Sequence, residues 1–184
     1  MITAVLGIGT FSARIGYEGN HNTTTIHPNL KTSITEAPTV SADIHLELNK
    51  SRLEVFLDLN SLPSHFTASA LGLTYKVDVS KRRIRHLSYP LGDMSEIHNG
   101  IPEHYGAIQY SGIEDAIQVV QRFGRNSILT KRDFESAFCH IPVSPIDPPL
   151  LGFQWEEAFY TERFLPFGLR TAPYLFNRFA KPFH

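Results

Sequence analysis

Between residues 111 and 124 apolar side chains recur at helical spacing. Ile113, Ala116, Ile117 and Val120 fall at i, i+3, i+4 and i+7, Ser111 and Glu114 stand where a capping box would, and Gly124 supplies a stop. The pattern predicts a helix over 111–124. A looser stripe of Ile44, Leu48 and Val55 predicts helix over 40–59, capped by Ser41. Strand-like runs at 68–75 and 82–87, separated by Asp78 and Ser80, predict a β-hairpin with a basic tip. Residues 127–134 read as a strand, 138–143 as a helical turn or extended exit, and 150–155 with 158–165 as a second hairpin around Glu156 and Glu157. A closing helix starts near Thr171, with Pro173 in its first turn and Leu175, Phe176 and Phe179 on its apolar face. Residues 18–40 and 88–110, rich in Asn, Thr, Pro, His and Gly, read as irregular connections. Together these elements give an α+β chain without internal repeats.

A chain of 184 residues buries roughly 70% of its unfolded surface, enough for one domain or two small lobes. With 42% hydrophobic and 19% charged residues it has globular rather than disordered composition. The formal charge of −1 excludes a whole-molecule field that would gather nucleic acid, so any such binding must be local. One local concentration exists: Lys76, Lys81, Arg82, Arg83 and Arg85 lie within ten residues that contain a single acid, Asp78. It reads either as a solvated hairpin or as an anion grip.

The single cysteine, Cys139, excludes an internal disulfide and reads as a buried thiol beside Phe138. Nine scattered histidines form no zinc spacing. The apolar start MITAVLGIGT lacks a basic flank and is too short to span a bilayer, which points to an intracellular protein and an unused sequon at Asn22. Gly7 and Gly9 make only a partial dinucleotide fingerprint, because Ser12 replaces its third glycine.

Several segments then follow one another in a recognisable order: FSARIGY, the Asn29–Leu30 pair, ALGLTYK, RRIRHLSYPLG, KRDFESAFCHIPVSP, LLGFQW and LPFGLRTAPYLFNRFA. In these the chain resembles the reverse transcriptases of long-terminal-repeat and DIRS-like retrotransposons. The resemblance implies an incomplete right-hand polymerase fold. Residues 1–60 would be a helical and irregular extension, and 61–184 the fingers plus the front part of the palm. It also implies template-directed addition of deoxynucleotides, with Mg²⁺ as cofactor and an RNA or DNA template-primer as partner.

By the same resemblance Asp133 is a metal-binding aspartate, with the Phe134 main-chain carbonyl as a further ligand. Lys76, Lys81 and Arg82 grip the triphosphate, with Arg83 as the alternative to Arg82 if the register shifts by one residue. Phe138 bars a 2′-hydroxyl by steric exclusion, while Phe167 and Gly168 lie against nucleotide and template. Each residue also has a plainer reading: Asp133 as a turn former, Phe138 as core, Gly168 as a structural turn.

The chain departs from the family pattern in three places. Arg132 stands where an apolar residue is usual, and burying its guanidinium unpaired would cost several kcal/mol, so either it snorkels outward, it pairs with an acid such as Glu114 or Glu135, or this copy of the gene has begun to decay. The stretch 94–99 replaces the family's Ser-Val-Asn run. No Tyr-x-Asp-Asp strand, thumb or RNase H region occurs within the 184 residues. The expectation is therefore a catalytic site that is incomplete in this chain, or a non-catalytic module that binds nucleic acid or protein.

Overall fold

A computed structural model describes residues 12–20, 22–75, 81–92, 96–130 and 133–181. Its main sheet has five strands in the order β1 (Thr25–Ile26), β3 (Thr67–Ala68), β6 (Gly152–Trp155), β7 (Ala158–Glu162) and β2 (Leu53–Phe56). β1, β3 and β6 run parallel, and the β6–β7 hairpin and the β7–β2 pair are antiparallel. Strands on both sides of residue 60 thus share one sheet.

A separate antiparallel hairpin is made by β4 (Ala70–Tyr75) and β5 (Lys81–His86), as the alternation predicts. The basic tip, with Lys76, lies outside the described residues, as do Lys131 and Arg132. A lone two-stranded hairpin is marginal in water. Here the free edge of β4 is filled by helix α1 (Lys31–Thr35) and the residues before it. The Leu71 N–H donates to Asn29 Oδ1 at 2.9 Å, the Leu73 N–H to Thr32 Oγ1 at 3.1 Å, and Ser33 Oγ donates to the Leu71 carbonyl at 3.0 Å. Asn29 Nδ2 also reaches the Gln154 carbonyl at 2.9 Å, so a single side chain bridges the hairpin to the main sheet.

Helix α2 (Ala37–Asn49) buries Val40 and Ile44, one turn apart, against Leu53, Leu71, Phe153 and Trp155. It starts before Ser41, with Pro38 in its first turn, and ends before residue 53. The expected helix over 40–59 is therefore corrected at both ends. Ser51 turns the chain at φ 55°, and Val55 belongs to β2, which pairs with β7. Ser41 is no cap: its hydroxyl accepts from Trp155 Nε1 at 2.8 Å and donates to Glu156 at 3.2 Å. Residues 18–40 are likewise less irregular than expected, since β1, α1 and the start of α2 lie within them.

Helix α3 (Ile113–Phe123) forms where the stripe predicts, and Gly124 ends it with φ 78°. Its cap is different from the one expected: the Asp115 carboxylate accepts from the Gly112 N–H at 2.8 Å, in place of the Ser111 and Glu114 pair. Its apolar stripe is exposed to solvent. The strand expected over 127–134 is absent among the described residues 127–130 and 133–134. Ile128 and Leu129 are 89% and 76% exposed, and no described strand lies beside them to supply ladder hydrogen bonds.

The largest core cluster joins Ile15, Leu87, Ile97, Ile141, Leu150, Leu165 and Leu169, and helix α4 (Ala172–Ala180) covers it with Leu175, Phe176 and Phe179. No helix among the described residues is long and apolar enough to cross a membrane.

Asp147 fastens the N-terminal segment to this core. It accepts from the Ile15 N–H at 2.9 Å and from Arg14 Nε at 2.9 Å, with side-chain exposures of 0% for Asp147 and 56% for Arg14. Removing a buried acceptor strands its donor, whereas an exposed ion-pair partner contributes little. In urea denaturation Asp147→Ala is expected to cost about 3 kcal/mol and Arg14→Ala under about 1 kcal/mol. Equal losses would show that the ion pair rather than the backbone bond carries the effect.

Candidate functional site

A cavity of about 360 Å³ opens between the β4–β5 hairpin, the turn that begins at residue 135, the end of β7 and the segment 164–167. Alternation along β5 divides its basic residues into two sets. Arg83 and Arg85 point inward: Arg83 Nε donates to Asp43 on α2 at 2.6 Å, and Arg85 donates to Glu162 at 3.2 Å and to the Gly152 carbonyl at 2.6 Å. Arg83 Nη1 lies 3.5 Å from the same Glu162 oxygen. Both guanidinium groups sit about 5 Å from the Phe153 ring centre, at 5.1 and 4.9 Å. Tyr160 stacks on the same Phe153 ring, with ring centres 5.0 Å apart.

Burial pulls the Arg85 guanidinium down to about 10, and the Glu162 carboxylate opposes that pull. At neutral pH Arg85 stays charged. Arg83 moves the other way, upward: burial lowers its pKa, but the carboxylates of Glu162 and Asp43 outweigh it. The cluster is a buried ion network that ties the hairpin to the sheet.

Arg82 is exposed at the cavity mouth, and among the described residues it has no carboxylate partner. Its guanidinium lies 5.1 Å from the Phe167 ring centre, within cation–π range. Phe167 in turn is 5.0 Å from Phe138, which packs on Phe176 at 5.9 Å. Lys81, at the same mouth, is engaged by Glu36, whose carboxylate raises the lysine pKa chiefly through their hydrogen bond. Both candidate arginines line the cavity, but they differ in partners: Arg82 has no carboxylate among the described residues, and Arg83 is a buried cation paired with Asp43 and Glu162.

Gly168 has φ 96°, and a Cβ there would stand 3.0 Å from the Arg85 carbonyl oxygen. The close approach is to the β5 backbone, so glycine lets the turn pass under the hairpin. Ser136 is also left-handed, at φ 51°, and turns the chain into the short 3₁₀ segment Ala137–His140 that carries Phe138.

The structure therefore brings Lys81, Arg82 and Phe167 into the lining of one cavity, with Phe138 packed against Phe167 and Gly168 next to it in the chain. It does not bring Asp133 there. Asp133 is exposed and absent from the cavity lining, whereas Glu135 and Ser136, just beyond it, are part of that lining. Phe134 is exposed and packs edge-on against Phe176 at 5.5 Å. Among the described residues no cluster of three or more potential ligands could hold a metal ion, so these residues do not by themselves fit Mg²⁺. Lys76 lies outside the described residues.

Sequence reasoning missed Asp43 and Glu162. Glu162 is two residues from Tyr160 on the same strand face, so its place beside two inward arginines was foreshadowed by alternation in both strands.

The family described as reverse transcriptase (RNA-dependent DNA polymerase) matches residues 78–184, more than half of the chain. The chain belongs to the reverse transcriptase family. No curated protein matches it. Among solved structures it is similar to the native protease–reverse transcriptase of prototype foamy virus, at 18% identity over 93% of this chain and 19% of that one, with a TM-score of 0.53. Two further foamy viral protease–reverse transcriptases were solved with double-stranded DNA and with an RNA/DNA hybrid. They match at 15% identity, covering 94% of this chain and 25% and 19% of theirs, with TM-scores of 0.53 and 0.52. This reverse transcriptase chain thus spans about a fifth to a quarter of their length. At such identity the likeness establishes a shared mixed α/β fold.

Removing one partner from a buried ion cluster leaves uncompensated charge. Glu162→Ala is expected to destabilise the protein by about 3–5 kcal/mol, measured by thermal and urea unfolding. Glu162→Gln, which keeps a hydrogen-bond acceptor, should lose less. A change within about 0.5 kcal/mol for the alanine variant would refute the network.

Proposed function

We propose that the chain is the fingers and front palm of a retrotransposon reverse transcriptase, and that the cavity under Arg82 receives the incoming deoxynucleotide triphosphate. The observation that carries this reading is the row of Arg82, Phe167 and Phe138, spaced 5.1 and 5.0 Å apart, whose first two members line the cavity. A guanidinium without a carboxylate partner at a cavity mouth is suited to bind phosphate oxygens through paired N–H donors. Lys81 adds positive charge beside it once it exchanges Glu36 for phosphate. The Phe138 ring, held from behind by Phe176, is rigid enough to exclude a 2′-hydroxyl by contact.

In this reading Asp133, with the Phe134 carbonyl, contributes part of a Mg²⁺ ligand set, and the rest of the set comes from carboxylates other than those described. The ion, when bound, would stabilise charge on the transferring phosphate. Because the reaction needs more carboxylates than Asp133 supplies, the 184 residues alone are proposed to bind nucleotide without extending a primer. The template-primer partner is proposed from the DNA and RNA/DNA complexes of the foamy viral proteins.

Equilibrium dialysis with dTTP tests the pocket. Arg82→Ala is expected to weaken binding about tenfold and to reduce its salt dependence, while leaving the melting temperature unchanged. Wild-type affinity in that variant would end the proposal. A primer-extension assay with Mg²⁺ tests the second claim, and incorporation abolished by Asp133→Ala would overturn it. Phe138→Val should bring UTP and dUTP affinities together, and unchanged discrimination would return Phe138 to a packing role.

A further inference from the structure

The turn that presents Phe167 is fastened on its far side by one imidazole. His98 sits in the 3₁₀ turn Ile97–Gly100, and its backbone N–H is tied to the Leu87 carbonyl at 3.3 Å. The Arg170 backbone N–H points at His98 Nε2 at 3.1 Å, and Ser88 Oγ lies 2.6 Å from His98 Nδ1. Arg170 itself donates through Nη1 to the Ile101 carbonyl at 2.9 Å.

These partners decide the tautomer. A ring nitrogen that accepts from a backbone N–H carries no proton, so the neutral ring must hold its proton on Nδ1 and donate it to the Ser88 hydroxyl. The Ser88–His98 pair is therefore no nucleophile and base, because the nitrogen facing the hydroxyl has no free lone pair to take its proton.

We propose that His98 is a positioning residue for the nucleotide pocket: as an unprotonated Nε2 acceptor it holds the Arg170 N–H, and so keeps Phe167, three residues earlier in the same turn, under the Arg82 guanidinium. For its effect on nucleotide, this rests on the reading of the cavity given above. The latch needs a neutral ring. Burial pushes the His98 pKa down from 6.5 to about 4, the Arg170 and His86 charges push the same way, and a Gly168 backbone hydrogen bond opposes them. Protonation would place a second N–H against the Arg170 N–H and bring positive charge toward Arg170 and His86. Folding favours the neutral form, so the latch is whole above pH 6.5 and is lost as the pH falls toward 4.

Glutamine at this position retains an acceptor near Nε2 but cannot titrate, and alanine removes both. In ¹⁵N NMR of the 184-residue chain at neutral pH, the wild type should show the Nδ1–H tautomer and an Arg170 amide protected from exchange. In equilibrium dialysis with dTTP, His98→Ala should bind about tenfold more weakly than wild type, while His98→Gln stays within about threefold. Between about pH 7 and about pH 4 the wild type should lose more affinity than His98→Gln does. A protonated Nε2 in the wild type overturns the latch whatever the variants do. So does wild-type affinity in a folded His98→Ala, or an Arg170 amide that exchanges no faster in that variant. If the wild type binds no dTTP, the pocket reading fails, and the tautomer and the Arg170 exchange decide the latch by themselves.

Discussion

The carboxylate of Glu162 is shared by two arginines of one strand, and the geometry of the whole opening depends on that sharing. The β4–β5 hairpin is hydrogen-bonded to no strand of the main sheet. Side chains therefore hold it in place: Arg83 reaches Asp43 and Glu162, Arg85 reaches Glu162 and the Gly152 carbonyl, and both lie over Phe153. Two cations buried this deeply, with Arg85 at 3% side-chain exposure, would be very costly without that anion. Their attraction to Glu162 fixes both the position and the tilt of the hairpin, because displacement in any direction would leave charge unpaired.

Everything at the mouth of the cavity follows from that placement. With odd-numbered arginines committed inward, the pleat of β5 turns Arg82 the other way, onto Phe167. The turn carrying Phe167 runs so close under β5 that only glycine fits at Gly168, and its exit is pinned by His98. From the other side Ser136 adopts a left-handed conformation that brings Phe138 to Phe167. The opening is thus assembled from three separate stretches of chain, held by four kinds of interaction: ion pairing for β5, backbone approach and imidazole acceptance for the turn at 167–170, and aromatic packing for Phe138.

The two hairpins and the closing helix were legible in the sequence because alternation and helical spacing are local, and turn residues bound them. The same residues also pointed to the family. Errors arose where periodicity was weak or where stability is non-local. The stripe of Ile44, Leu48 and Val55 crosses the turn at Ser51, so spacing alone merged a helix with a strand. Residues 127–134 have strand-like composition, yet a strand exists only beside a partner, and Ile128 and Leu129 have none among the described residues. Helix α3 shows the converse. Its local signals form the helix, while its apolar stripe stays exposed.

By itself the sequence determined which residues alternate, which turn, and which carry charge, since these depend on side-chain chemistry and on neighbours a few residues away. Its resemblance to a family, rather than periodicity, grouped Arg82, Phe138, Phe167 and Gly168 with Lys76, Lys81, Asp133 and Phe134, and left Arg82 and Arg83 interchangeable. Only the tertiary structure distinguished their surroundings, because the difference lies in partners far along the chain: Asp43 and Glu162 pair with Arg83, and Arg82 has no carboxylate among the described residues. The tertiary structure likewise set Asp133 outside that lining and made His98 an acceptor, for hydrogen-bond direction and burial are properties of what surrounds a residue rather than of the residue itself.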